Sequence, residues 1–275
     1  MEILRTKENL VGKISGAVGA YNATSLLVKE PEKFEEDVLK ELGLKKGGYS
    51  TQITEPEYLL QFIHGIVACF GVLANLADDI RHLQRTEISE VSEAFGEEQV
   101  GSSTMPHKKN PVSFENVKSM WKATMPRIIT LYMDQISEHQ RDLTNSASGR
   151  FVPEILAGLH VAAERLSKAM KKLSVDRKQM NENFRKSSDK IIAEPLYILL
   201  SYHGHPDAHE AARNMSMSGN VLDAIKQNGE FSRYWKKFTA QQKAVLESPE
   251  KYTGIAAEKT ENVCNYWEKK LKEFS

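Results

Sequence analysis

Residues 54–85 read TEPEYLLQFIHGIVACFGVLANLADDIRHLQR, and their spacing decides the fold. Thr54, with Glu57 three positions on and Pro56 between them, has the pattern of a helix-initiating capping box. From there Leu59, Phe62, Ile63, Ile66, Phe70, Leu73, Leu76, Ile80 and Leu83 recur every three or four residues. That period predicts one long amphipathic helix, ending near Arg85, whose apolar stripe must be buried against other elements. His64, inside this helix, reads as a packed or surface side chain rather than a catalytic one.

On its C-terminal side the same logic repeats. A second long helix is predicted after Pro111, through Phe114, Val117, Trp121, Ile128, Leu131 and Ile136 to about residue 138, with a kink at Pro126. A third is predicted over 153–173, carrying Ile155, Leu156, Leu159, Ala162, Leu166 and Met170. Beyond Val175 the pattern shortens into smaller helices. On the N-terminal side, residues 29–48 are charged, show helical spacing from Phe34 through Val38 to Leu42, and stop at Gly47-Gly48. Residues 11–20 are rich in Gly, Ala and Ser, which suits close backbone approach or a tight turn better than a regular helix. Sustained period-two alternation is absent. The expected fold is all-α: a long-helix bundle over residues 1–175, then a smaller helical domain over 176–275.

Composition narrows the function classes. The 275 residues carry 37 Lys+Arg against 37 Asp+Glu, so the basic excess of a nucleic-acid binder is missing. A hydrophobic fraction of 40% excludes a disordered chain. No apolar run is read as reaching membrane-spanning length, and no signal-peptide pattern opens the chain. Cys69 and Cys264 are expected to be reduced thiols of a cytoplasmic protein.

An acidic stretch, 87–100, leads into residues 101–111, GSSTMPHKKNP. Ser102 and Ser103 are followed by a turn-prone Thr104-Met105-Pro106, then by His107, Lys108 and Lys109. Asn110-Pro111 reads as a helix start, Asn as N-cap and Pro in the first helical position. Hydroxyls, ammonium groups and a helix N-terminus converging on one spot suit a small polyanion such as a carboxylate or phosphate. His203, His205 and His209 could be spaced for a metal, but no Cys or carboxylate partners accompany them; a histidine-rich start of a surface helix is the preferred reading.

The loop GSSTMPHKKNP, numbered with its acidic approach as 97–111, resembles the signature of the fumarase/aspartase superfamily. Residues 13–23 (KISGAVGAYNA), 139–146 (HQRDLTNS) and 188–195 (SDKIIAEP), with the Met-Pro-His-Lys form of the loop, resemble its adenylosuccinate lyase family. The resemblance implies β-elimination of fumarate from adenylosuccinate, giving AMP, and from the succinyl-carboxamide imidazole ribotide of purine biosynthesis. It implies Ser102 as the base, with Ser103, Lys108 and Asn110 holding the fumarate-side carboxylates and Lys109 adding positive field. Gln52 and Asn116 match substrate-contacting positions, and Arg141, Ser146 and Arg150 match the nucleotide phosphate site. An arginine fork with a hydroxyl suits the several acceptor oxygens of a phosphate monoester. The structural alternative for Arg141 is a pair with Asp142.

The family works as a homotetramer with each active site built from three subunits, without cofactor or metal and with no nucleic-acid or membrane partner. Its general-acid histidine belongs to a segment that precedes KISGAVG, and no histidine of this sequence stands in the corresponding motif. Two explanations follow, a piece of a longer enzyme or a short form that works beside a partner carrying the missing half; the piece is preferred, and it is expected to turn over little on its own. Other readings are argininosuccinate lyase or a cycloisomerase of the same superfamily, and a catalytically silent helical scaffold.

Overall fold

The computed structural model of the chain describes residues 10–93, 110–138, 140, 142–217, 221–222, 225 and 229–273. They divide into two compact units, Met1–Asp176 and Arg177–Ser275.

In the first unit the elements run β1 (Val11–Gly12), α1 (Pro31–Glu41), β2 (Lys45–Lys46), α2 (Glu57–Leu83), β3 (Val91–Glu93), α3 (Val112–Thr124), α4 (Arg127–Met133), α5 (Phe151–Lys171) and β4 (Leu173–Val175). α2, α3 and α5 pack on one another as a bundle. Two buried clusters fix their directions. At one end Leu60, Ile63, Ile66 and Val67 of α2 meet Ile128 and Leu131 of α4 and Ile155 of α5. At the other, Phe70, Ala77 and Ile80 meet Val91, Phe114, Val117, Ala162, Leu166 and Ala169. α5 therefore runs parallel to α2, and α3 with α4 runs back against both.

The long-helix reading holds, with differences in detail. α2 begins at Glu57 with Pro56 as its N-cap residue and no side-chain cap bond, so the Thr54 capping box does not form. Its buried stripe is also rotated: Leu60, Val67, Ala74 and Ala77 face inward, while Leu59, Val72 and Leu76 are exposed. A helix packed on two sides needs small residues where a neighbour comes close, and the alanines supply them. Contrary to the sequence reading, α2 is long and apolar enough to cross a membrane by length and composition. The same helix supplies the buried core of this unit.

The kink expected at Pro126 is a break. α3 closes at Thr124 and α4 opens at Arg127, because Pro126 has no N–H to continue the ladder. α4 ends at Met133, short of the expected 138. α1 stops at Glu41, and Gly43, at φ +68°, takes the left-handed position that follows it. Its expected stripe is displaced as well: Phe34 and Leu42 are exposed, and Glu35 and Leu39 are buried. Glu35 goes inside because its carboxylate accepts from the Ile14 N–H and the Tyr21 hydroxyl, tying the glycine-rich segment to α1. The only strands among the described residues are two or three residues long, in the pairs β1–β2 (parallel) and β3–β4 (antiparallel).

One charge cluster joins α2 to α3. Asp78 accepts from Lys118 Nζ at 2.6 Å and from Arg81. The Lys118 hydrogen bond, against the opposing effect of burial, lowers the Asp78 carboxyl to about 2. A depressed carboxylate stabilises the fold above its unfolded-state value and loses that contribution as pH falls through its folded value. The stability deficit of Lys118→Met is thus expected to be full at pH 6 and to shrink between pH 4 and 2, as measured by urea unfolding at each pH.

The second unit holds α6 (Arg177–Ile191), α7 (Ala193–Tyr202), α8 (Ala208–Met217), α9 (Gly229–Trp235), α10 (Ala240–Glu247) and α11 (Ala256–Lys272). Leu196, Leu200, Ala212, Val221, Ile225, Tyr234, Phe238 and Leu246 form its core. His203 and His205 are not the surface residues expected. The His203 ring lies against Phe238 and the His205 ring is stacked on Phe231, each with Nε2 buried. Among the described residues no group of three or more His, Cys, Asp or Glu could hold a metal ion.

Candidate active site

Residues 94–109 lie outside the described residues, and with them Ser102, Ser103, His107, Lys108 and Lys109. The two ends of this loop are described, and they are held together. Glu93 is buried; its N–H donates to Gln84 Oε1 at 2.8 Å, and its Oε2 accepts from the Ser113 N–H at 3.1 Å. The residue that enters the loop thus binds the first turn of the helix that leaves it.

This changes the role expected of Asn110. Pro111, not Asn110, is the N-cap residue of α3, and it makes no side-chain cap bond. Among the described residues Asn110 contributes a carbonyl, accepting from the Val112 N–H at 2.9 Å. The Glu93 carboxylate takes the Ser113 N–H instead, so part of the helix's positive end is already met by the chain's own charge. Less of it is left for a substrate anion than the sequence alone led us to expect. Asn116 sits on the second turn of α3, half-buried, with its Oδ1 buried and unbonded among the described residues.

Of the residues expected to meet a phosphate, Ser146 and Arg150 lie elsewhere. Arg141 and His139 are outside the described residues. Asp142 accepts from the Thr144 hydroxyl at 2.6 Å and the Thr144 N–H at 2.9 Å, and the hydroxyl bond, ahead of the amide bond, holds its carboxyl below the usual range. Ser146 is exposed, and Arg150 is exposed at the N-cap of α5. Beside them opens a cleft of about 1080 Å³ whose walls include Asp134, Glu138, Asp142, Asn145 and Ser148. Asp134, Glu138 and Asp142 are the charged residues of its described lining, and Arg150 stands outside that lining.

Gln52 is exposed on the segment leading into α2, and its carbonyl accepts from Lys13 Nζ at 2.9 Å. Lys13 also donates to the Gly16 carbonyl, and the Ser15 and Ser50 hydroxyls lie 2.7 Å apart. Gly19, at φ +75°, is pressed against the backbone of Ser50 and Thr51. The glycine-rich segment is therefore folded onto the residues beside Gln52, as its composition implied.

The described candidate residues divide between the two ends of the bundle. Asn110 and Asn116 belong to the end of the bundle where α2 finishes, because Glu93 joins Gln84 to Ser113. Ser146 and Arg150 belong to the end where α2 starts, because α4 meets that end through Tyr132–His64 and Gln135–Glu57. α2 has 27 residues. At 1.5 Å per residue, about 40 Å separates its two ends.

Other residues entered the picture only with the structure. His64 Nδ1 lies 2.7 Å from the Tyr132 hydroxyl, beside a cavity of about 480 Å³ that Glu57, Gln61 and Gln135 also line. Glu93 and Asp134 hold loop ends through partners 20 and 14 positions away. Neither stands out in an acidic or helical stretch read locally.

Two family profiles match the chain in succession: one described as Lyase over residues 1–125, and one described as Adenylosuccinate lyase C-terminal over 137–253. The chain is similar to an adenylosuccinate lyase of Pyrococcus abyssi, 36% identical, over 94% of this chain and 58% of the relative. It is also similar to adenylosuccinate lyases of Archaeoglobus fulgidus (29%) and Aquifex aeolicus (30%). The chain thus spans about 58% of the length of the curated relatives it matches. A fumarate lyase from Mesorhizobium sp. BNC1 shares the fold with a TM-score of 0.76 at 20% identity, over 94% of this chain and 58% of that one. The β-carboxy-cis,cis-muconate cycloisomerase of Acinetobacter calcoaceticus does so with 0.75 at 23%, over 96% and 58%.

Proposed function

We propose that this chain, a member of the adenylosuccinate lyase family within the fumarase/aspartase superfamily, carries the base and the phosphate-binding arm of an enzyme releasing fumarate from adenylosuccinate. The observation that carries this reading is the succession of the two family matches along the chain, lyase over 1–125 first and adenylosuccinate lyase C-terminal over 137–253 second. The second match covers the Arg141, Ser146 and Arg150 segment, which a substrate without phosphate would not need.

The chemistry asks for three things: a base for the proton next to a carboxylate, stabilisation of the charge that builds on that carboxylate, and a proton for the leaving nitrogen. Ser102 is the base. Each pKa unit by which its hydroxyl is lowered needs about 1.4 kcal/mol of differential stabilisation. Because Glu93 engages the Ser113 N–H, that stabilisation falls to Lys108, Lys109 and the loop's own N–H groups more than to the α3 dipole. Ser103, Lys108 and Asn110 hold the carboxylates, while Asn116 and Gln52 contact the substrate. Arg141, Ser146 and Arg150 take the phosphate.

The separation of the two sets supports a site shared between copies. A homotetramer that lays one copy's α3 end beside another's α5 start would unite them. The exposed Val72 and Leu76, four residues apart on one face of α2, offer apolar contact suited to such packing.

A calorimetric titration of the chain with AMP and with adenosine tests the phosphate assignment. AMP is expected to bind at least about tenfold more tightly, a difference of about 1.4 kcal/mol. Equal affinities would overturn it and favour a superfamily member acting on a substrate without phosphate.

A further inference from the structure

We propose that Asp134 is the positioning residue of the phosphate-contacting arm, holding residues 142–150 against the end of α4 so that Ser146 and Arg150 face the ligand together. The proposal rests on the reading above, that Ser146 and Arg150 meet a phosphate.

Asp134 follows the last turn of α4 as its C-cap residue. It receives the arm twice. Its carboxylate Oδ1 accepts from the Ser148 hydroxyl at 2.8 Å, and its backbone carbonyl accepts from Asn145 Nδ2 at 3.0 Å. Ser148 is buried, with only 4% of its surface exposed, so if the carboxylate is removed its hydroxyl keeps an acceptor only within the arm itself and the tie to α4 is lost. The Asn145 carbonyl, 3.1 Å from the same hydroxyl, closes the triangle. The two anchored positions, Asn145 and Ser148, bracket Ser146 and stop two residues short of Arg150. At the front of the arm, Asp142 folds back on Thr144. Ser146 and Arg150 themselves make no side-chain hydrogen bond or ion pair to another described residue, so their direction is set through the backbone that Asp134 anchors.

The sign of the charge separates positioning from binding. A carboxylate beside a phosphate site repels the ligand, so Asp134 serves through its acceptor geometry and in spite of its charge. Asparagine offers the same acceptor oxygen without the charge. Asp134→Asn should therefore keep the arm in place, whereas Asp134→Ala should release it.

The test is titration of the 275-residue chain and its variants with AMP and adenosine, alongside hydrogen exchange at residues 142–150. Asp134→Ala is expected to weaken AMP about tenfold, leave adenosine unchanged and raise exchange in the arm, the loss of a hydrogen bond to a charged group. Asp134→Asn should recover AMP affinity to within about twofold of the parent, or exceed it as the repulsion goes. Ser148→Ala, which removes the donor instead, should reproduce the loss; it decides the matter if Asp134→Ala lacks the parent's helical circular dichroism. A folded Asp134→Ala or Ser148→Ala chain that keeps the parent's preference for AMP overturns the positioning role alone. A parent chain with no preference for AMP overturns the phosphate reading and this assignment with it.

Discussion

Truncating Phe70 to alanine is expected to destabilise the chain by about 3–5 kcal/mol. Phe70 is fully buried at the middle of α2, near the junction of the two clusters that hold α2 to α3 and α5. Its surroundings have little room to collapse into the space. Gly158 of α5 already brings that helix close: a Cβ placed there would lie 3.7 Å from Phe70 Cε1 and 3.2 Å from Thr124 Oγ1. The cavity would stay largely open, so the loss includes the cavity as well as the transfer of the ring. Urea unfolding followed by circular dichroism measures it directly. A loss below about 1 kcal/mol would mean that α5 closes on α2 when the ring is gone, contrary to the close packing described.

Gly19→Ala should be nearly as damaging, and for a backbone reason. At φ +75° any side chain is strained, and a Cβ there would overlap the Ser50 carbonyl oxygen and lie 2.8 Å from its carbonyl carbon. Those are main-chain atoms, which cannot swing aside as a long side chain can. Either the glycine-rich segment or residues 50–52 must move, and Gln52 moves with them. We expect a cost of at least about 2–3 kcal/mol together with weakened ligand binding, since left-handed strain alone accounts for about 1–3 kcal/mol. Gly16→Ala is the internal control. Gly16 has φ +84° but no atom within 4 Å of its would-be Cβ, so only the conformational cost of about 1 kcal/mol remains. Thermal melts of the two variants compare them, and equal melting temperatures would show that the contact with Ser50 yields freely.

The three long helices were legible because burial of one face leaves a period that needs no partner to be recognised. Phase was less legible. Leu59 and Leu76 belong to the bulky stripe of α2 yet face outward, since the tight contacts are made by Ala74 and Ala77, which hydropathy alone ranks below leucine. The same failure placed Phe34 inside and Glu35 outside, when a buried carboxylate with two donors is the better arrangement there. Among the site residues, Gln52, Asn116, Ser146 and Arg150 stood out through resemblance to a family rather than through local pattern, whereas Asn110 stood out through its Asn-Pro helix start. Glu93 and Asp134 did not stand out at all: the hydrogen bonds that give them meaning join residues far apart in sequence, and no spacing rule reaches that far. Nor could any local rule reveal that Asn110 and Asn116 lie at one end of α2, and Ser146 and Arg150 at the other.

That last feature has a genetic side. An allele altered at Asn116 and another altered at Arg150 damage different ends of the same bundle. If the site is shared between copies as proposed, a cell expressing both builds mixed assemblies in which some sites draw each end from an unaltered chain. Two recessive defects in one gene would then complement each other, whereas two alleles altered at the same end would not.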